Sequence, residues 1–172
     1  IGGIIMTHGD DNGLVLPPAV APIQVVIIPV AAHKEGVIDA AKGLADRLKG
    51  DFRVKLDDSD NSPGWKYAEY EMKGVPVRIE IGPRDIEAGK MLCARRDTLE
   101  KTEYALTGAV DSVKALLADV QKSMLESARA RRDARITYAD DIDGILAGVD
   151  AGNFVKAGWC GCRECEDKIK EE

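Results

Sequence analysis

The sequence contains no hydrophobic run long enough to cross a lipid bilayer. Its longest apolar stretch, residues 25–32, is interrupted by Pro29 and is far shorter than the roughly 20 residues that a transmembrane helix needs. The chain also lacks an excess of positive charge, because its 30 acidic residues outnumber its 24 basic ones and give a net charge of -6. This balance argues against nucleic-acid binding by bulk electrostatics and leaves selective contacts by a few side chains.

Motifs of an intact enzyme active site are missing as well. The glycines near the N-terminus fit neither a phosphate loop nor a dinucleotide fingerprint, and no Ser-His-Asp or Cys-His arrangement is visible. His8 stands in a glycine-containing stretch typical of a hydrogen-bonded structural histidine, and His33 is expected to be exposed. The sequence therefore gives no ground for assigning catalysis to this chain.

The cysteines do not form the pattern of a secreted, disulfide-linked protein. Three of them, Cys160, Cys162 and Cys165, crowd the C-terminus, whereas Cys93 stands alone in a predicted strand and is expected to be a small buried residue. This distribution indicates a reducing compartment, and we expect a cytoplasmic location.

Strands and helices alternate along most of the chain. Continuous or alternating apolar patterns predict strands at residues 23–30, 52–56, 75–81, 90–95 and 102–106. Helical spacing predicts helices at 37–48 and 63–73, and a long helix after residue 107 that emerges into solvent beyond Met124. We expect the apolar residues 1–6 to form a buried strand, residues 138–149 a helix and 153–159 a strand. Trp65 and Trp159 are expected in the core. The alternation predicts an α/β fold.

Segment 75–101 contains two predicted strands, joined after a Gly82-Pro83 break by an expected charged loop of Arg84, Asp85 and Glu87. It holds six basic and five acidic residues. Arginine reaches guanine O6 and N7, and a carboxylate accepts from guanine N1 and N2, so mixed charges suit the reading of single-stranded RNA. The candidate residues are Glu80, Arg84, Asp85, Arg95, Arg96 and Asp97. Alternatively, the two aspartates pair with neighbouring arginines and only fix the loops.

An arginine run follows the apolar part of the long helix. It could contact RNA phosphates, or it could simply be a solvated helix face, since Glu126 and Asp133 dilute its charge. Its members are Arg129, Arg131, Arg132 and Arg135.

Several stretches, taken in order, resemble prolyl-tRNA synthetase of the archaeal and eukaryotic type. They are MTHGDDNGLVLPP, APIQVVIIPV, VRIEIGPRDIEAGK, ARRDTLEK and GWCGCRECE. The combination of GPRD with ARRD is the specific part, because the helices between would fit many proteins. The resemblance covers essentially the whole chain.

The resemblance implies a mixed five-stranded sheet flanked by helices, which is the anticodon-binding domain of that family, followed by a small α+β module. Its implied boundaries are 1–20 for a catalytic-domain remnant and linker, 21–135 for the anticodon-binding domain, and 136–172 for a truncated zinc-module-like segment. Both chain ends interrupt a pattern, so we expect a piece of a longer protein.

The implied partner is proline tRNA, whose anticodons carry guanine at their second and third positions. The parent would be a homodimeric proline-tRNA ligase that uses proline, ATP and magnesium. The piece itself would lack the catalytic sheet, so we expect it to be non-catalytic, mostly monomeric and without a required cofactor.

Zinc is a further implication of the resemblance. The first cysteine pair of the family's zinc module falls on Cys160 and Cys165, the second pair would follow residue 172, and Cys162 is an extra thiol that could substitute. Because structural zinc needs four ligands, free thiols or adventitious metal compete with this interpretation. A different function also stays open: a metal or redox interaction module, with the cysteine cluster as its functional end and the α/β domain as a protein-docking scaffold.

Overall fold

The computed structural model describes residues 1–171 and divides the chain into two compact units. The first extends from Ile1 to Leu125, and the second begins at Glu126. This division falls ahead of the boundary expected at residues 135/136, and the predicted domain limits remain a prediction. No helix in the described range 1–171 has both the length and the apolar character needed to span a membrane.

Five strands and five helices begin in the first unit. In chain order they are α1 (Gly2–His8), β1 (Val25–Pro29), α2 (Val37–Leu48), β2 (Val54–Leu56), α3 (Pro63–Met72), β3 (Val77–Ile81), α4 (Pro83–Glu87), β4 (Lys90–Arg95), β5 (Lys101–Ala105) and α5 (Ala109–Asp133).

The strands form one mixed sheet in the order β2-β1-β3-β4-β5. The strand β1 runs parallel to both β2 and β3, whereas β4 runs antiparallel to β3 and β5. Every residue of β1 is buried, as expected for a continuously apolar central strand covered on both faces. The predicted mixed five-stranded α/β fold is confirmed.

Most of the apolar core lies between one face of the sheet and helices α2 and α5. Ile27 and Ile79 contribute from the sheet, Leu44 from α2, and Val113 and Leu117 from α5. Burying each large apolar side chain stabilises the fold by about 1.5–3 kcal/mol, so this layer fixes the sheet position. The apolar stripe of α5 ends at Met124, and the arginine run beyond it is exposed, as predicted.

The buried face of α3 differs from the predicted one. It presents Lys66 and Tyr70, whereas Trp65 is 51% exposed. Lys66 is buried because its ammonium donates to the carbonyls of Asp57 and Ser59, at 3.0 and 2.7 Å, and lies 3.5 Å from the Asp57 carboxylate. The expectation of a core Trp65 was therefore wrong. Hydrophobic periodicity assigns a lysine to solvent, so it cannot identify a buried helix face whose lysine is hydrogen-bonded in the interior.

Two further expectations about local structure were wrong. Residues 2–6 lie in the helix α1, in which no residue is buried, and Ile1 is its N-cap, so this stretch is not a buried strand. A short apolar run fits helix or strand by periodicity alone, and tertiary contacts decide. The expected charged loop after Gly82 is the short helix α4, with Pro83 at its first turn and the Asp85 carboxylate accepting from the Gly82 N–H at 2.8 Å.

The second unit is a small α+β module. Its parallel strands β6 (Ile136–Ala139) and β7 (Phe154–Ala157) are separated in sequence by α6 (Ile142–Asp150), and α7 (Arg163–Glu171) follows. The helix predicted over 138–149 was therefore misplaced at its start, because residues 136–139 pair with β7 and Asp141 caps α6. Trp159 is 75% exposed and not in a core as expected.

Candidate functional site

The face of β3, β4 and β5 opposite the main core carries polar side chains. Because Val77, Ile79 and Ile81 enter the main core, alternation places Arg78 and Glu80 on the other face of β3. The strand register then aligns Arg78 with Ala94 of β4 and Lys101 of β5 in one row, and Glu80 with Leu92 and Glu103 in the next.

Glu80 is the centre of a cluster on this face. It is 7% exposed, and its Oε1 accepts from Arg78 Nε at 3.1 Å and lies 2.9 Å from the Lys101 ammonium. Tyr67 of α3 lies beside both cations, with its ring centroid 4.3 Å from Arg78 Cζ and 5.4 Å from Lys101 Nζ. Burial, followed by the charge of Glu80, raises the pKa of Tyr67 to about 12.

This cluster offers a carboxylate acceptor, two cationic donors and an aromatic ring within one small area. Such a combination can hydrogen-bond the edge of an unpaired base and place a base face against a guanidinium or ring. A cavity of about 210 Å³ adjoins it, lined by Arg78, Arg96, Leu99 and Lys101 among others. The cavity gives the sheet a concave place that a nucleotide could enter.

Arg84 and Asp85 lie in α4, directly after β3. Arg84 is exposed, and its guanidinium makes no hydrogen bond or ion pair with a side chain or backbone group in the described range 1–171. Asp85 instead caps its own helix through the Gly82 N–H. The GPRD sequence therefore uses its aspartate to build the turn and presents its arginine to solvent.

Arg95 and Asp97 satisfy each other at the turn that joins β4 to β5. Arg95 donates from Nε and Nη2 to the two carboxylate oxygens of Asp97, at 2.9 and 2.7 Å, and also pairs with Asp119 of α5. The Ser123 hydroxyl donates to Asp97 Oδ2 at 2.6 Å. Burial alone raises the pKa of Asp97, but the hydrogen bonds from Arg95 and Ser123 outweigh it and lower the pKa below its usual value.

Arg96 is directed away from Arg95 and is 4% exposed. Its two terminal nitrogens donate to the carboxylate of Asp10 at 2.7 and 2.6 Å, and its Nε donates to the Glu71 carbonyl at 2.8 Å. The hydrogen bond from Arg96 lowers the pKa of Asp10. Arg96 thus lines the 210 Å³ cavity, and each of its three side-chain nitrogens donates a hydrogen bond.

The six predicted RNA residues are therefore not one continuous patch. Glu80 lies in the polar cluster, and Arg96 lines the adjoining cavity. Arg84 is exposed on α4, and the remaining three, Asp85, Arg95 and Asp97, hold turns together. The pairing alternative describes Asp97, whereas Asp85 caps a helix and has no arginine partner among residues 1–171. Base reading by the set stays a prediction.

Sequence reasoning missed three members of the polar cluster: Tyr67, Arg78 and Lys101. The alternating VRIEI pattern of β3 carried a usable signal, because residues two apart on a strand share a face and Arg78 must accompany Glu80. The contribution of Tyr67 and Lys101 depends on how α3 and β5 pack and register, which local sequence does not reveal.

In the second unit, the arginine run lies at the end of α5 and just after it, and all four members are exposed. Arg132 pairs with its neighbour Asp133 at 2.6 Å. The geometry fits the solvated-face interpretation as well as phosphate contacts, and both remain open.

The C-terminal cysteines come together as a group. The sulfur atoms of Cys160, Cys162 and Cys165 all lie within 4.8 Å of one another. Tetrahedral zinc with bonds of about 2.3 Å separates its thiolates by roughly 3.8 Å, so a small closure would suit three ligands. The Cys162 N–H lowers the pKa of Cys160, which favours the thiolate that a metal binds. This group could hold a metal ion. Cys93, by contrast, is buried, and burial raises its pKa to about 12.

Comparisons with known proteins agree on one family. The protein-family model described as "Anticodon binding domain" matches residues 24–116. A proline–tRNA ligase from Ruminiclostridium cellulolyticum is 55% identical over 175 residues, covering 100% of this chain and 36% of the relative. Those from Alkaliphilus oremlandii and Lachnoclostridium phytofermentans are each 54% identical over 174 residues, with the same coverage. The chain thus spans about a third of the length of these relatives.

Proposed function

We propose, from the premise that this chain belongs to the anticodon-binding domain family, that it binds the anticodon loop of proline tRNA. The family match carries the proposal, because residues 24–116 include the whole polar face and all six predicted RNA residues. The relatives bear the name proline–tRNA ligase, which supports proline tRNA as the particular partner.

In this proposal, Arg84 and the Glu80 cluster supply the contacts that distinguish guanine. Arg84 brings an exposed guanidinium fork, which suits guanine O6 and N7. Glu80 brings an acceptor held in place by Arg78 and Lys101, which suits the guanine N–H groups. Holding the acceptor rigid lowers the entropic cost of binding a base.

The activity of the whole protein follows as a proposal from the same relatives. We place this chain in a cytoplasmic, homodimeric proline-tRNA ligase that joins proline to its tRNA with ATP and magnesium. The chain supplies recognition and requires none of those cofactors for it. The three clustered thiols are proposed to supply zinc ligands, with a fourth ligand completing the tetrahedron.

Filter binding with two tRNAs tests the proposal. We expect the wild-type chain to prefer proline tRNA over the same tRNA with its two anticodon guanines changed to adenines. Arg84→Ala should weaken binding of proline tRNA by about 5- to 150-fold, corresponding to about 1–3 kcal/mol, and should reduce the preference.

The matched control is Lys114→Ala, which removes one positive charge from an exposed position of α5. It should leave both affinities within about twofold. Equal binding of the two tRNAs by the wild-type chain would refute anticodon reading. Equal weakening of both tRNAs by Arg84→Ala would assign Arg84 to a phosphate rather than a base.

A further inference from the structure

The N-terminal segment, defined here as residues 1–16, is joined by a bidentate ion pair from Asp10 to Arg96, which lines the cavity beside the polar cluster. We propose that Asp10 and Arg96 are positioning residues: the pair holds the N-terminal segment against the sheet and makes it respond to RNA that occupies the neighbouring cavity. This inference rests on the proposed function, because it assumes that RNA is the occupant.

The geometry of Arg96 makes it a suitable connecting residue. Its guanidinium fork meets both oxygens of Asp10, at 2.7 and 2.6 Å, across 86 positions of the chain. Its Nε is fixed by the Glu71 carbonyl at 2.8 Å. A two-point contact of this kind specifies orientation as well as distance, which a lysine could not do.

Asp10 is itself fixed within a tight loop. Its backbone exchanges hydrogen bonds with Gly13 at 3.1 Å in both directions, and its Oδ1 also accepts from the Asn12 N–H at 2.9 Å. A movement of the Asp10 carboxylate must therefore move this loop with it.

After this loop, residues 14–16 lie against the C-terminal end of α3. The Leu14 N–H donates to the Met72 carbonyl at 3.0 Å, and the Leu16 N–H donates to the Gly74 carbonyl at 3.3 Å. A Cβ at Gly13, where φ is +129°, would lie 2.6 Å from Met72 Cα, so only glycine permits this approach. The contact is close enough for Met72 to sense a shift of the loop.

Arg96 also lines the cavity of about 210 Å³, together with Glu71, Leu99 and Lys101. Because Asp10 occupies its fork, a nucleotide that contacts Arg96 meets a guanidinium already bound to the N-terminal segment, and it either competes with Asp10 or uses the remaining N–H groups. The nucleotide and the N-terminal segment therefore interact with the same guanidinium. If the nucleotide contacts Arg96 differently when Asp10 is bound and when it is released, nucleotide binding shifts the position of the N-terminal segment.

Methyl NMR of the natural methionines provides the test, using ¹³C-methyl methionine in the unmodified chain. Met72 lies at the contact, Met6 lies in α1, and Met91 and Met124 are buried in the core. In the wild-type chain, proline tRNA should shift the Met72 resonance and alter the Met6 linewidth. In Asp10→Asn, the Met72 resonance should already differ without RNA, while the two core resonances keep their positions.

The discriminating measurement is the response of Asp10→Asn to RNA. We expect tRNA affinity within about threefold of wild type, together with at least a fivefold smaller shift of Met72 on binding. Asp10→Glu, which keeps the carboxylate, should restore part of the shift. Asp11→Asn removes a neighbouring exposed acid and should respond like wild type, which controls for charge.

The outcomes separate this inference from the proposed function. A Met72 shift in Asp10→Asn as large as in wild type overturns the positioning role, as does tRNA binding to wild type without any Met72 response. Disturbed Met91 and Met124 resonances in Asp10→Asn would show a general structural role and also overturn it. Absence of tRNA binding by the wild-type chain would instead refute the proposed function, and this inference with it.

Discussion

Asp97 should contribute mainly to the stability of the first unit, and the substitution Asp97→Asn tests this directly. Its Oδ1 accepts from Arg95 Nε at 2.9 Å, and its Oδ2 accepts from Arg95 Nη2 at 2.7 Å and from Ser123 Oγ at 2.6 Å. The bond from Ser123 joins the turn after β4 to α5, and the two bonds from Arg95 join that turn to the end of β4. Asp97 therefore connects two elements that enclose the main core.

The expected cost follows from these bonds. Asparagine keeps the shape but loses the charge, and its amide nitrogen must face one of the donors of Arg95 or Ser123. A hydrogen bond to a charged group contributes about 1.5–3 kcal/mol, and Arg95 retains its ion pair with Asp119, which limits the penalty. We expect Asp97→Asn to lower the free energy of unfolding by about 2–3 kcal/mol. The exposed control Asp51→Asn should change it by less than about 0.5 kcal/mol.

Urea unfolding with pulsed thiol labelling measures this difference in the first unit alone. Cys93 is buried in that unit, so its labelling, read by peptide mass spectrometry, reports unfolding there and not in the second unit. The free energy of unfolding of a small domain falls by about 1–3 kcal/mol per molar urea, so Asp97→Asn should lower the urea midpoint by roughly 1 M.

The pH dependence gives a second check. The hydrogen bonds from Arg95 and Ser123 lower the pKa of Asp97 in the folded protein against the opposing effect of burial. A lowered carboxyl pKa stabilises the fold above the unfolded value of about 3.9, and this contribution disappears as the pH falls through the folded value. The difference between wild type and Asp97→Asn should stay constant from about pH 7 to about pH 5 and shrink below about pH 4.

One result would refute the reasoning. If Asp97→Asn is as stable as wild type but binds proline tRNA more weakly, Asp97 contacts RNA and the observed pairing is not its main role. Reduced stability with tRNA binding unchanged under native conditions would support the structural role.

Two further predictions concern the cysteines. In the native chain, Cys93 should resist thiol reagents because burial raises its pKa to about 12, whereas the exposed Cys160 and Cys165 should react; rapid native labelling of Cys93 would contradict its buried position. Cys162→Ser should lower zinc affinity on the order of 100-fold, since about 10–16 kcal/mol is shared by four ligands in structural zinc sites, and competition with a chelating dye measures this. Unchanged zinc affinity would exclude Cys162 as a ligand.

The sequence predicted the sheet well because its strands carry strong local signals. The β-branched run around Ile27 predicts a strand covered on both faces, and every residue of β1 is buried. The alternation around Ile79 predicts which side chains of β3 enter the main core. The resemblance to prolyl-tRNA synthetase is confirmed at the level of the family. Its archaeal and eukaryotic type remains a prediction.

The roles of individual charged residues were much harder to predict. Arg96 pairs with a residue 86 positions away, and Arg95 with one 24 positions away, so neither partner is visible in the local pattern. Lys66 shows the opposite case. A lysine in a helix is normally predicted to lie in solvent, yet Lys66 is buried because its ammonium donates to backbone carbonyls in the interior. Long-range partners, rather than local composition, decide whether such a charge is structural or available.

This distinction changes what the balanced charge of segment 75–101 means. Within the segment, Asp97 neutralises Arg95, and Glu80 engages both Arg78 and Lys101. Two acids outside it pair with the next two cations, Asp10 with Arg96 and Glu103 with Lys90. Among the described residues, this leaves Arg84 as the cation of the segment without an ion-pair partner. A surface built this way neutralises few phosphates and gains little from counterion release. Its selectivity must come from donors and acceptors held at fixed positions, and a loss of geometry should harm recognition more than a loss of net charge.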